Sequence, residues 1–388
     1  MRKKGVALFI SSLYGGGAER VVSRISRELN KEYQLYIFLV DGNDRFYECM
    51  GEVVDLGCGS KRYVVNAVRA VLSINKAIAK YDIDCVISFL DVPNIINCLI
   101  NRRAKRIASI RAYFNIELCG SWKEKVIKYV FLKNALKRAD KTVFAAQELS
   151  VEMKNDLQLD EERICVIENP YDVMEIEESA SGEIEGNIDK FIRDHKTAVT
   201  VGRLDWEKGY EDLIDIFIMV SAEDNEAALI ILGDGEAREG LEAMIRERQL
   251  EERVLLLGLC DNPFAYMSKC DLYVSCSLHE GFPNTLVEAM TCQLPVIQTD
   301  CKTGPREILA VPLNSDIKSA VYSSCGILIP SYTRKRVSKE TTQKEFADAW
   351  IRLLASDELR EKYSHASRER AAYYSTERCI NKYRAVIG

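Results

Sequence analysis

Residues 197–210, TAVTVGRLDWEKGY, set the reading of this chain. The apolar run 197–202 is strand-like. A glycine and a charged loop follow, and a helical pattern opens at Tyr210. Strand, glycine loop and helix in so few residues make one turn of a doubly wound α/β sheet. Ligands bind such sheets at the carboxyl ends of the strands, which is where this spacing puts Arg203 and Lys208. Two cations beside free backbone amides suit a diphosphate. The competing reading is a solvated charged turn.

The same unit recurs on either side. Upstream, strands are expected at 5–10, 33–40, 85–90, 106–110, 141–145 and 164–167, with helical stretches between them. Downstream they are expected at 228–233, 254–258, 271–275 and 295–299. The chain therefore reads as two doubly wound α/β domains in tandem, which fits its 388 residues. The expected division is 1–170, an acidic linker at 171–196 around Ser179-Ala180-Ser181-Gly182, a second domain at 197–358, and a helical tail at 359–388. That tail has the composition to run back across the first domain.

Composition narrows the function. A hydrophobic content of 47% with 29% charged residues describes a soluble globular chain, and no apolar run reaches the length of a membrane span. Met1-Arg2-Lys3-Lys4 is read as the start of the first strand rather than as a signal peptide. The 13 cysteines are odd in number and contain no C-x-x-C, so reduced thiols in a cytosolic protein are expected. Three histidines (His195, His279, His365), none near a cysteine pair, speak against zinc. Residues 1–170 hold 27 Lys+Arg against 21 Asp+Glu (+6), and the remainder holds 26 against 38 (−12), so the halves are expected to face different partners. A pI near 5.5 disfavours nucleic acid.

A second informative stretch is HEGFPNTLVEAM, residues 279–290. Gly281 and Pro283 make a tight loop after an apolar strand, and Asn284 or Thr285 can cap the helix that follows. Glu280 on the loop can accept hydrogen bonds from sugar hydroxyls, and Glu288 from a ribose diol. Thr285-x-x-Glu288 is equally a capping box, in which Glu288 bonds only its own helix. In the first domain, Gly15-Gly16-Gly17 follows a strand and opens a helix, so it can admit an anion or be a plain turn. It does not complete a G-x-G-x-x-G fingerprint, which disfavours a nicotinamide dehydrogenase.

Taken in order, these segments resemble the retaining glycosyltransferases of family 4, of the bacterial surface-polysaccharide and lipid-linked-oligosaccharide type. The resemblance rests on GGGAERVV (15–22), Ser88-Phe89-Leu90 with Asn94, Ile167-Glu168-Asn169-Pro170, Val201-Gly202-Arg203-Leu204 with Lys208-Gly209, Leu232-Gly233-Asp234-Gly235, and the E-x7-E spacing from Glu280 to Glu288. It implies the GT-B fold, two Rossmann-like domains facing a cleft. It implies that Gly16 and Gly17 approach the donor, Arg203 and Lys208 hold its diphosphate, and Glu280 with Gly281 and Phe282 holds the sugar. Backbone amides at Asn284, Thr285 and Leu286 would bind phosphate, and Glu288 the ribose. No metal and no cofactor are implied, the donor being a UDP-linked sugar used as substrate; Asp82-Ile83-Asp84 reads as a strand entry rather than a metal motif. One departure stands out. Many relatives carry a first-domain histidine near the reacting sugar, whereas this chain has Ser109-Ile110-Arg111-Ala112, which makes Arg111 the acceptor-side candidate or else a surface cation.

The expected reaction moves a hexose or N-acetylhexosamine to a saccharide acceptor, carried on polyprenyl diphosphate, in capsule or other surface-polysaccharide biosynthesis. Residues 122–141 mix Trp122, Val126, Ile127, Val130, Phe131 and Leu132 with Lys123, Lys125, Lys128, Lys133, Lys137 and Arg138. A basic amphipathic helix of this kind can lie on anionic lipid or pack in a core with its lysines in water. Peripheral contact with the inner face of the cell membrane is the expectation. The rival readings are another enzyme on the same fold, a sugar-nucleotide epimerase or a synthase, and a non-catalytic sugar-nucleotide-binding module.

Overall fold

The computed structural model describes residues 2–14, 16–42, 46–57, 73–112 and 122–388. Gly15 and the side chains of Trp122, Lys123 and Lys125 lie outside the described residues. The chain forms two units, one of Met1–Tyr171 with Thr376–Gly388 and one of Asp172–Ser375.

In the first unit, β1 (Gly5–Ile10), β2 (Gln34–Leu39), β3 (Glu52–Asp55), β4 (Cys85–Phe89), β5 (Lys105–Ile110), β6 (Lys141–Phe144) and β7 (Ile164–Val166) form one sheet. Its order is β3-β2-β1-β4-β5-β6-β7 with every pair parallel. β1 and β4 are buried throughout, as strands covered by helices on both faces must be. In the second unit, β8 (Lys196–Val201), β9 (Ala227–Leu232), β10 (Val254–Gly258), β11 (Leu272–Ser275), β12 (Val296–Thr299), β13 (Val321–Tyr322) and β14 (Ile327–Ile329) take the order β10-β9-β8-β11-β12-β14-β13. Only the terminal β13–β14 pair is antiparallel. Both sheets are doubly wound. The strands missed by the sequence reading are β3, β13 and β14, which are short.

Two expected boundaries are corrected. The stretch 171–196 is no exposed linker: it holds the helices Val173–Ala180 and Gly186–Asp194. Asp172 caps the first by accepting the Glu175 N–H at 3.1 Å, and Ile176, Ile188 and Ile192 are buried. The acidic residues that suggested a linker lie on the outer faces of these helices. The tail 359–388 is also two helices, Asp357–Ala371 in the second unit and Thr376–Ile387 in the first. Cys379, Ile380, Tyr383, Val386 and Ile387 of the last helix enter the core around β1 and β4. Lys382 pairs with Glu168, and Arg384 with Glu32.

Among the described residues the cysteines are free and most are buried, no helix is long and apolar enough to cross a membrane, and no cluster of metal-ligating side chains is found. Asp84 does serve a strand entry, as its Oδ2 accepts the Gly5 N–H at 2.8 Å.

Candidate active site

In the second sheet the chain leaves β8 toward β9 on one side and β11 toward β12 on the other. The loops after β8 and β11 therefore diverge at the carboxyl edge and leave a crevice between them. Arg203 and Lys208 lie on the first loop, Glu280 on the second.

Gly209 lets the loops meet. Its φ is +65°, and a Cβ there would lie 2.3 Å from the Cys276 carbonyl oxygen, so a side chain is excluded. The Leu278 N–H donates to the Glu207 carbonyl at 2.7 Å. Lys208 Nζ then reaches Glu280 Oε1 at 2.6 Å, with the two side chains 25% and 10% exposed. Burial disfavours the charged Lys208, but the Glu280 carboxylate more than offsets it, and the ammonium pKa rises. Arg203 is 74% exposed and donates through Nε to Asp205 Oδ2 at 2.6 Å. Burial, then Asp205, push the Glu207 carboxyl up. A cavity of about 350 Å³ opens here, lined by Arg203, Asp205, Trp206, Glu207 and Glu236. A larger one, about 870 Å³, is at the opposite edge, beside Asp271 and Pro295, just before β11 and β12.

Glu280 is held by backbone. Its N–H donates to the Lys302 carbonyl at 2.7 Å, and its carbonyl accepts from Thr303 N–H at 2.7 Å. Thr303 Oγ1 donates to the Gly281 carbonyl at 2.7 Å. The loop that supplies these groups is anchored by Asp300, which takes Arg306 Nε at 2.8 Å and Nη2 at 2.6 Å, and Arg334 Nε at 3.1 Å. Asp300 and Arg306 are almost fully buried. Sequence reading missed this support; the only signal was Gly304-Pro305, a turn marker.

The helix Asn284–Thr291 points its N-terminus at the same crevice. Its N-cap is Pro283, with no side-chain cap, so the Thr285–Glu288 capping box does not form. Thr285 Oγ1 instead pairs with Tyr273 OH at 2.8 Å. Glu288 is 2% exposed, Leu286 is fully buried, and the Phe282 ring packs edge-on against Tyr374 at 5.5 Å. The side chains of Leu286 and Phe282 are therefore packed into the protein.

The first-unit candidates are placed differently. Gly16 is the N-cap of the helix Gly17–Glu32, and a Cβ on it would lie 2.1 Å from Glu19 Oε2. The helix's own first-turn carboxylate thus stands over Gly16. Arg111 is no free surface cation. Its Nε donates to Ser109 Oγ (2.8 Å), its Nη1 to the Ile167 carbonyl (3.1 Å) and Asn169 Oδ1 (2.8 Å), and its Nη2 to Tyr383 OH. Ser88 and Asn94 bond each other at 2.7 Å, and Asn94 donates to the Ser109 carbonyl, fixing the helix Asp91–Ile100 on the sheet.

Residues 15–175 match the family model described as Glycosyltransferase Family 4, and residues 185–312 the one described as Glycosyl transferases group 1. An uncharacterized glycosyltransferase of Methanocaldococcus jannaschii is 32% identical over 279 residues, covering 69% of this chain and 68% of its own. The N-acetylgalactosamine-N,N'-diacetylbacillosaminyl-diphospho-undecaprenol 4-alpha-N-acetylgalactosaminyltransferase of Campylobacter jejuni is 28% identical over 79% of this chain and 83% of its own. In fold, the chain is similar to Anabaena HepE in complex with UDP (TM-score 0.77, 16% identity, 99% of each chain) and to WaaG, a glycosyltransferase involved in lipopolysaccharide biosynthesis (TM-score 0.74, 15% identity, 98% and 99%).

Proposed function

The chain belongs to the glycosyltransferases of family 4, and on that premise we propose that it transfers a hexose or N-acetylhexosamine from a UDP-sugar, with retention and without a divalent metal, to a lipid-linked saccharide. The observation that carries the reading is the meeting of Lys208 and Glu280, with Arg203 on the same loop as Lys208, at the switch point of the second sheet.

In this reading Lys208 and Arg203 take the donor diphosphate and stabilise the negative charge that builds on it as the sugar leaves. Backbone amides at Asn284, Thr285 and Leu286 assist at the helix N-terminus. Glu280 holds the sugar and Glu288 the ribose. The bond from sugar C1 to the β-phosphate oxygen breaks on the face where the acceptor oxygen bonds to C1. The acceptor's proton passes to the departing phosphate. Glu280 is engaged by Lys208, so this reading gives it a binding role and not that of a nucleophile. The two cations supply the charge a metal would otherwise bring, so EDTA should leave the rate unchanged.

The acceptor class draws support from the Campylobacter relative, whose name specifies an undecaprenol-diphosphate-linked saccharide. The helix Trp122–Arg138 supports contact with the inner face of the membrane. It buries Leu132, Ala135 and Leu136, yet exposes Val126, Ile127, Val130 and Phe131 beside Lys133, Lys137 and Arg138. A second apolar face flanked by cations suits anionic lipid.

Radiolabelled UDP-sugars offered with a polyprenyl-diphosphate-linked acceptor test the reaction. A labelled, lipid-extractable product with an α-linkage from an α-donor supports it. A free epimerised nucleotide-sugar, or UDP binding with neither transfer nor hydrolysis, overturns it. Flotation with phosphatidylglycerol vesicles tests the membrane contact, which fails if low salt gives no binding.

A further inference from the structure

The loop after β8 contains one oxygen that the roles above leave unexplained. Asp205 is 8% exposed, and its Oδ1 is buried with no hydrogen-bond partner among the described residues. Such an atom is costly in a native fold and needs a reason. Asp205 is the N-cap of the short turn Trp206–Lys208, where an aspartate ordinarily accepts a backbone N–H of the turn. It makes no such bond. It gives Oδ2 to Arg203 Nε at 2.6 Å instead.

The other oxygen, Oδ2, has a definite effect on Arg203. The guanidinium is planar, so anchoring Nε fixes its plane and leaves the Nη1/Nη2 end as a rigid fork. Arg203 is 74% exposed, and among the described residues that fork donates to no protein atom. An unanchored arginine with this exposure would sample many rotamers and lose that entropy on binding. A fork held in place meets two phosphate oxygens at once.

We propose that Asp205 is a positioning residue: it holds Arg203 by Nε and presents the Nη1/Nη2 pair to the departing diphosphate. This rests on the reading that Arg203 binds the diphosphate. Asp205 itself touches no substrate.

A double-mutant cycle tests it, with Asp205→Ala, Arg203→Ala and their combination assayed for kcat, donor KM and UDP affinity by calorimetry. Asp205→Ala should lower kcat about tenfold, while adding it to Arg203→Ala should change kcat less than about twofold, because residues that act as a unit are not additive. Asp205→Asn keeps an acceptor for Nε and should restore most of the rate. The same tenfold loss in both backgrounds overturns the proposal, as does an Asp205→Ala enzyme equal to wild type. Should Asp205→Ala not fold, the cycle is run with Asp205→Asn and Asp205→Leu, and equal rates in these two variants overturn it. An Arg203→Ala enzyme with unchanged turnover and UDP affinity would instead sink the diphosphate reading itself.

Discussion

Lys208 Nζ lies 2.6 Å from Glu280 Oε1 across 72 residues of chain, and the pair joins the loops after the two central strands of the second sheet. Glu280 is only 10% exposed on its side chain, so removing the cation leaves a nearly buried carboxylate without its counter-ion. Lys208→Met should destabilise the second unit by about 3 kcal/mol, and Lys208→Met/Glu280→Gln by less than the sum of the single changes. Urea denaturation measures both. Transfer should fall about 100-fold or more in either single variant, because Lys208→Met removes charge at the departing phosphate and Glu280→Gln weakens the hold on the sugar. Strictly additive stabilities would mean that the pair is not coupled.

The Asp300–Arg306 pair is the support beneath Glu280. Both side chains are within 3% of full burial, and the loop between them supplies the Lys302 and Thr303 backbone groups that hold Glu280. Asp300→Ala strands the Arg306 charge and should cost about 3–5 kcal/mol. At temperatures where the variant stays folded, UDP-sugar affinity should also fall while UDP affinity changes less, since it is the sugar-side loop that loosens. Calorimetry with both ligands distinguishes this from a purely global loss of fold.

Glu288 separates the two readings that the sequence left open. With Pro283 as N-cap and Thr285 bonded to Tyr273, the capping box is absent and Glu288 is not accounted for by it. Glu288→Gln should raise the donor KM about tenfold and leave kcat nearly unchanged, the pattern of lost uniform binding. With 2′-deoxy-UDP as ligand the difference between wild type and variant should shrink. An equal loss of affinity for UDP and 2′-deoxy-UDP would detach Glu288 from the ribose.

How far the sequence carried the reading depends on range. β1, β8 and β11 were legible because strands buried on both faces are continuous apolar runs with glycine loops after them. β13 was not, because it pairs over two residues and its register comes from β14. Arg203, Lys208, Glu280 and Glu288 were visible as charges at special loops. Asp205 was not singled out, since an aspartate in a charged turn looks like solvated surface until its burial is seen. The Arg306 anchor was hidden for the same reason. Arg111 shows the limit of a local reading. The sequence offers it as an acceptor-side residue or else a surface cation, and its partners Ile167, Asn169 and Tyr383, 56, 58 and 272 residues away, exclude the free surface cation.

That network makes its own prediction. Arg111 uses four donor contacts to tie the end of β5 to the segment after β7 and to the helix Thr376–Ile387. Arg111→Lys keeps the charge but not the fork, and should cost about 2 kcal/mol. The last helix should loosen first. Cys379, buried on that helix with its thiol pushed up to about 12 chiefly by burial, should then react with a maleimide faster than in wild type. Unchanged labelling of Cys379 would show that the helix is held without Arg111.

The pair Arg106–Asp140 sets a pH window for the first unit. Asp140 Oδ2 accepts the Arg106 backbone N–H at 2.8 Å and Nε at 3.1 Å, and Oδ1 accepts Nη2 at 2.9 Å. Partial burial works to raise the Asp140 carboxyl, but these bonds outweigh it and hold the group below the usual carboxylate range. A carboxyl lowered on folding adds stability that is complete above its unfolded pKa, about 3.9, and is lost as pH falls through the folded value. Asp140 is 40% exposed, so solvent screening limits the contribution to about 1 kcal/mol. Asp140→Asn should therefore be about 1 kcal/mol less stable than wild type at pH 7, and the gap should narrow steadily below about pH 3.9. Urea denaturation at pH 7 and at pH 3 measures it. A gap of the same size at both values would mean that Asp140 stabilises the sheet by shape and neutral hydrogen bonding, with no contribution from its charge.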